Sequence, residues 1–168
     1  MNKRPSVLLA SGAASGTIAA VRNLGANGIG VGVVSSGLLS GAAWSRWTSS
    51  RYSAPPETSG RPFMDCLLEI GRDNPGQILL PTSDETAWLY GAYADVLRQH
   101  FRVYQPSLAT IHAILDKKLF EVAAVKAGLA VLPSWHPAHD LGGRSAHAGL
   151  ALSNLDKAAH AGPPLVDR

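Results

Sequence analysis

At 168 residues the chain is long enough for one domain with a sizeable hydrophobic core, and short for a complete two-substrate enzyme. Its net charge of +3 is mild and no cluster of lysines and arginines stands out, so composition argues against nucleic acid or an anionic membrane surface as a partner. The single cysteine, Cys66, cannot form an internal disulfide, and its neighbours Met64, Leu67 and Leu68 make it a buried structural thiol rather than a nucleophile.

Lys3 and Arg4 precede apolar and small residues in the manner of a secretory signal, but the apolar core, Val7 to Ala10, is too short. No later run reaches the roughly 20 residues that span a bilayer, and a cytoplasmic protein is expected. The apolar run Ser6–Ala10 reads as a strand and Thr17–Leu24 as a helix, with Ser11-Gly12-Ala13-Ala14-Ser15-Gly16 as a tight turn between them. Such a turn lets backbone approach a ligand, and free amides at the helix start favour an anion there. Gly30–Val34 is the next strand, reached through the helix stop Gly25–Gly28, and the strand-helix-strand unit implies parallel pairing.

From Ser35 to Ser59 serine, glycine and proline dominate, which predicts a loop region with one short extended piece near Arg51–Ala54 and with Trp44 and Trp47 covering the sheet edge. Pro62–Arg72 carries apolar residues at helical spacing, and Gln77–Leu80 reads as a buried strand. In the junction that follows, Thr82 and Glu85 have the spacing of a capping box, and Asp84 and Glu85 stand where a helix dipole favours acids. A helix over Ala87–His100, a strand over Phe101–Tyr104, helices over Ser107–Leu115 and Leu119–Ala127, and an extended segment over Leu129–Pro133 complete the pattern. Beyond Trp135 the patterning weakens, and a poorly ordered tail is expected.

These elements predict a three-layer α/β, Rossmann-like domain with a mostly parallel sheet of about five strands over residues 1–137 and an irregular tail over 138–168. Ligands of open α/β sheets bind beyond the carboxyl ends of the strands, where the glycine turn and the 82–86 junction should meet. A short-chain dehydrogenase does not fit. Ile18 stands where a third glycine would be, Val33-Val34-Ser35-Ser36 offers no acid for a ribose, and no tyrosine is followed four residues later by a lysine. No lysine followed by serine or threonine completes a kinase-type phosphate loop, and no nucleophile elbow is present. His136, His139 and His147 with Asp140 read as a histidine-containing tail, not a metal site.

Three pieces in order, Gly12–Gly16, Leu80-Pro81-Thr82-Ser83-Asp84-Glu85-Thr86, and Leu115-Asp116-Lys117 with Ala127-Gly128-Leu129-Ala130-Val131-Leu132-Pro133, resemble the N-terminal, pre-ATP-grasp domain of an ATP-grasp carboxylate–amine ligase, as in the carbamoyl-phosphate-synthase-like proteins. Ser45-Arg46-Trp47, Arg51-Tyr52 and Pro55-Pro56 add to the resemblance, which covers about Ser6 to Pro137. It implies an enzyme that uses ATP and magnesium to activate a carboxylate as an acyl phosphate, which an amine then attacks. It assigns Lys117 to the ATP phosphates, and Ser11, Gly12, Ser15, Gly16, Thr82, Ser83, Asp84 and Glu85 to loops that bind the carboxylate or amine substrate.

The family's second ATP-binding lysine, adenine-binding strand and magnesium ligands find no match after Pro137. The expectation is therefore a truncated chain, frameshifted near Leu141, that does not hydrolyse ATP alone; sequence of the coding DNA past the stop tests this. The alternative from the residues themselves is a stand-alone nucleotide-binding module of NAD(P) type that catalyses nothing.

Overall fold

The computed structural model describes residues 5–37 and 39–132. The tail, with His136, His139, Asp140, His147 and the expected domain boundary, lies outside the described residues. Five strands, β1 Val7–Leu9, β2 Val31–Ser35, β3 Thr48–Ser53, β4 Ile78–Leu80 and β5 Arg102–Val103, form one sheet in the order β3-β2-β1-β4-β5, with every pairing parallel. The helices are α1 Ser15–Ala26, α2 Arg61–Asp73, α3 Asp84–Ala92, α4 Ala94–Leu97, α5 Leu108–Leu115 and α6 Lys117–Lys126. This is the expected three-layer α/β architecture with Rossmann-like strand order.

Strand periodicity explains the layers. Val7 and Leu9 of β1 join Val21 of α1 and Val31 and Val33 of β2 in one buried cluster, whereas Leu8, one residue out of phase, joins Leu79 of β4 and α2, α3 and α5 in the other. Both faces of β1 and β2 are thus covered, and β1 reads as a continuous apolar run, whereas β4, expected to be buried throughout, buries Leu79 on one face and leaves Leu80 40% exposed on the other. On the second face Phe63, Met64 and Leu67 of α2 and Leu89 and Tyr90 of α3 are essentially inaccessible. Each such aliphatic or aromatic side chain contributes about 1.5–3 kcal/mol on burial.

The segment read as mainly loop contains a full strand. β3 pairs with β2 along Val31–Ser35 and forms the sheet edge, although its sequence, Thr-Ser-Ser-Arg-Tyr-Ser, is polar. Only alternate residues of β3 are half-buried, and an edge strand lacks the two apolar faces by which a central strand is recognised. Tyr52 of β3 lies over Gly32 of β2. The tryptophans part company. Trp47 packs against the α1 cluster, but Trp44 remains 64% exposed, with the Arg51 guanidinium 4.9 Å from its ring centre. Cys66 is half-buried against the α2 core rather than fully enclosed.

Three boundaries also differ from expectation. The helix read as continuing to His100 breaks at Tyr93, whose φ of −106° and ψ of 20° separate α3 from α4, and α4 ends at Leu97. Residues 129–132 carry no strand pairing, and Pro133 lies outside the described residues. α6 starts at Lys117 instead of Leu119, because the Asp116 carboxylate accepts hydrogen bonds from the Lys118 and Leu119 amides, both at 2.9 Å. α6 ends in a left-handed Gly128 (φ 75°), with the Gly128 amide donating to Val125 O and the Leu129 amide to Ala124 O, both at 3.0 Å.

Asp116→Ala is expected to cost about 1 kcal/mol, the usual loss on removing an N-cap. Amide exchange in α6 should quicken while exchange in β1 stays unchanged. Asp116→Asn, which keeps the acceptor, should show little of either effect.

Candidate functional site

The strand order reverses beside β1. From β1 the chain runs outward through α1 to β2 and then β3, and it returns through α2 to β4 on the other flank of β1. The crevice at such a reversal, beyond the carboxyl ends of β1 and β4, is where open α/β sheets bind ligands. It holds both segments singled out in the sequence, the turn 11–16 after β1 and the junction 81–85 after β4.

Hydrogen bonds knit the two together. Ala10 O at the end of β1 accepts from Thr82 Oγ1 at 2.8 Å and from Thr17 Oγ1 of α1 at 3.2 Å. Ser11 Oγ lies 3.2 Å from Ser83 Oγ. Ser11 has φ 52° and is the non-glycine residue with positive φ among those described, a conformation costing roughly 1–2 kcal/mol. Its amide and its hydroxyl both donate to Glu57 Oε1, at 2.6 and 2.9 Å, and hydrogen bonds to a charged acceptor offset that cost. With one proton to give, the Ser11 hydroxyl is drawn to the carboxylate over Ser83 Oγ, since the charged acceptor is the stronger.

Glu57 opens a 3-10 turn, Glu57–Ser59, in the connection from β3 to α2. Sequence reasoning missed it. It is a lone acid after Pro55-Pro56, 46 positions from Ser11, and nothing local signals that pairing.

The capping box is real but displaced by one residue. Ser83, not Thr82, is the N-cap of α3, and Thr86, not Glu85, is its reciprocal partner. Ser83 Oγ accepts from the Thr86 amide at 3.2 Å, and Thr86 Oγ1 accepts from the Ser83 and Thr82 amides at 3.0 and 3.1 Å. The reason is competition for one hydroxyl. Thr82 Oγ1 is committed to Ala10 O across the crevice and so ties the two loops instead of capping the helix. Asp84 and Glu85 occupy the first turn of α3 as expected, Asp84 exposed and Glu85 half-buried. Glu57, Asp84 and Glu85 take part in no ion pair among the described residues.

The glycines of the turn differ in kind. A Cβ on Gly12 would meet Ser40 Oγ at 2.2 Å, whereas one on Gly16 would have nothing within 4 Å. Gly12 is buried against the protein; Ser15 and Gly16 are exposed in the first turn of α1, which has no side-chain cap and no acid. The open anion-favouring amides are therefore those of the helix start. Lys117 is exposed at the start of α6 and makes no described hydrogen bond or ion pair to either loop. α6 packs on α5, which packs on α3.

Beneath Glu57, Tyr90 of α3 is fully buried and its hydroxyl finds no hydrogen-bond partner among the described residues. Burial foremost, and the negative charge of Glu57 second, push the phenol well above its ordinary range, so it remains a proton donor. Raising an acid's pKa on folding favours the fold while the group stays protonated, and that stability is lost as the unfolded phenol ionises. Stability should therefore fall as pH rises above about 10, by up to about 1.4 kcal/mol per unit from this group. Tyr90→Phe should flatten that part of the profile. Urea midpoints measured on both proteins between neutral and alkaline pH check it.

As a chemical arrangement the crevice offers a carboxylate at Glu57, two linked hydroxyls and free helix amides. No three histidine, cysteine, aspartate or glutamate side chains converge to hold a metal among the described residues. Nor is any helix among them long and apolar enough to cross a membrane. The sequence matches no family model and no curated protein.

Proposed function

We propose that the chain is the substrate-binding, N-terminal portion of an ATP-grasp carboxylate–amine ligase, supplying the wall of the cleft that holds the carboxylate and amine substrates. The observation that carries this reading is the junction of the two loops at the strand-order reversal, with Thr82 Oγ1 on Ala10 O and Ser11 beside Ser83. These are the loops on which the resemblance puts the substrates. Exposed apolar side chains on α6, Phe120, Val122 and Val125, suit a surface against which another part of a complete ligase would pack.

ATP and magnesium would serve the complete enzyme by making the acyl phosphate. Among this chain's residues Lys117, with its exposed ammonium, is the one suited to approach ATP phosphates. The described residues do not fit magnesium, since no ligand cluster is formed, and no chemical step is assigned to them.

The stand-alone NAD(P) module is the weaker reading. The carboxylate of Glu57 already takes the Ser11 amide that a pyrophosphate would use. Calorimetry of the purified chain separates the two. The ligase reading expects heat from small carboxylates or amino acids and none from NAD(P), together with no magnesium-dependent ATP hydrolysis. Appreciable NAD(P) affinity without any for carboxylates or amines would overturn it.

A further inference from the structure

We propose that the outer edge of β3 is a docking site for an extended partner segment that alternates acidic and apolar residues and adds to the sheet as a further strand. The inference is independent of the ligase reading and uses none of the crevice residues.

The first observation is an open edge. β3 has six residues and, among the described residues, pairs with β2 alone. Outside that ladder the backbone of Ser49–Ser53 makes no hydrogen bond among the described residues, so its outward amides and carbonyls are free to pair with another strand. The opposite edge strand, β5, has two residues and offers little to add to. The register shift of the β2–β3 pair falls between Val31 and Gly32, which leaves Arg51, Tyr52 and Ser53 in regular pairing.

The second is the charge beside that edge. The mild net charge hides a segregation: residues 5–56 contain Arg22, Arg46 and Arg51 and no lysine, aspartate or glutamate. All three arginines are exposed, and none takes part in an ion pair among the described residues. They belong to one side of the sheet. Tyr52 packs into the cluster beneath α2, and Arg51, one residue out of phase, turns to the α1 face, where its Nε donates to Ala43 O and its guanidinium lies over Trp44. A Cβ on Gly41 would meet Ile18 at 2.9 Å, and one on Gly25 would meet Trp47 at 2.5 Å. The segment that carries Trp44 and Arg46 therefore runs along α1, past Arg22.

Together these features specify the occupant. A strand added beside β3 alternates its side chains between the two faces. Those on the α1 face meet Arg51, with Arg46 and Arg22 beyond it, and carboxylates match them; those on the other face lie beside the half-buried Tyr52 and are best apolar. Trp44, 64% exposed, adds a flat apolar surface on the charged side. A second copy of β3 fits less well, because two-fold antiparallel pairing brings Arg51 and its own copy together on one face. Single-stranded nucleic acid would suit the arginines and the indole but would leave the strand edge unpaired.

The test is an amide NMR titration of the full chain with the N-acetylated, C-amidated peptide Glu-Val-Glu-Val-Glu-Val-Glu. Three comparisons accompany it: the same peptide N-methylated at two adjacent central residues, which blocks both of its edges, a version with lysine for every glutamate, and single-stranded octathymidylate. The acidic peptide should shift the Ser49–Ser53 amides and the Trp44 indole saturably, slow amide exchange in β3, and bind more weakly as salt is added. The N-methylated and lysine peptides should each bind at least about tenfold more weakly. Arg51→Gln should weaken the Kd of the acidic peptide about fivefold, the upper range for an exposed ion pair. Because Arg51 also holds the segment at Ala43 and Trp44, Arg22→Gln serves as the second variant. The Arg22 side chain makes no hydrogen bond or ion pair among the described residues, so its loss should weaken binding about twofold at low salt and leave the urea midpoint unchanged.

Absence of saturable shifts in β3 overturns the proposal, as does an unchanged Kd in both variants. An N-methylated or lysine peptide that binds within about tenfold of the acidic one overturns it too, because backbone pairing or charge would then not be what holds the segment. Tighter binding of octathymidylate at the same residues would make the patch a nucleic-acid surface instead.

Discussion

Gly12→Ala should destabilise the domain by about 1–3 kcal/mol, the usual cost of forcing a methyl group into a packed site, while Gly16→Ala, four residues on, should be neutral or slightly stabilising. Neither glycine is among those with positive φ, so backbone conformation would accept alanine at both. Space decides. At Gly12 the new Cβ would sit 2.2 Å from Ser40 Oγ, 3.0 Å from Val33 Cγ1 and 3.1 Å from Ser35 Cβ. Ser40 is itself buried and its hydroxyl accepts from the Ala43 amide at 3.4 Å, so it cannot simply swing into solvent. At Gly16 the space is open, and alanine would restrict the unfolded chain at no steric cost.

Ser40→Ala in the Gly12→Ala background removes the worst contact and should restore most of the lost stability; Val33 and Ser35 need yield only a few tenths of an ångström. Urea midpoints of the two single variants and the double variant form the cycle. A Gly12→Ala protein as stable as the parent would show that the turn does not rest on the 40–43 segment. The Gly16→Ala variant is also a functional probe, because a new methyl at the open helix start should weaken any anion bound there without touching the fold.

Gly12 also shows what could and could not be read from the sequence. The turn between strand and helix was legible because its apolar flanks and glycines are local signals, and the same holds for β1, β2, β4, α1 and α2. That Gly12 is packed against Ser40 behind the turn is a fact about residues 28 positions apart. Glu57 was illegible for the same reason. Its importance lies in reaching Ser11 across 46 positions, and a lone glutamate after two prolines carries no trace of that. β3 went unread as a whole strand because a polar edge lacks the two-sided burial by which the central strands announced themselves. In each case the missing information is tertiary, and local propensity yields to it.

The capping box is the most consequential of these displacements. Thr86→Val should cost about 2–4 kcal/mol, more than Ser83→Ala at about 1 kcal/mol. Valine matches threonine in shape, and Thr86 is fully buried, so packing is preserved and the hydroxyl alone is lost. That hydroxyl accepts from both the Thr82 and Ser83 amides and donates to Ser83 O at 2.9 Å. Its removal strands two donors and one acceptor in a half-buried turn, where each unsatisfied group costs about 1–3 kcal/mol and partial access to water moderates the sum. Ser83→Ala strands fewer, since it leaves Thr86 Oγ1 to accept from both amides.

The loss should not stay within α3. Thr86 holds the Thr82 amide, and Thr82 holds Ala10 O, so loosening the first contact loosens the tie between the two loops. Amide exchange should therefore accelerate at Thr82 and Ser83 and also at Ser11 and Ala14, across the crevice, while the centres of α1 and α2 remain protected. Thr86→Ser, which keeps the hydroxyl and drops only the methyl, should restore slow exchange at Ser11 even if a small packing loss remains. Fast exchange confined to α3 in Thr86→Val would mean that the glycine turn is held by Glu57 and the 40–43 segment without Thr82, and that the two loops act as independent walls of the crevice.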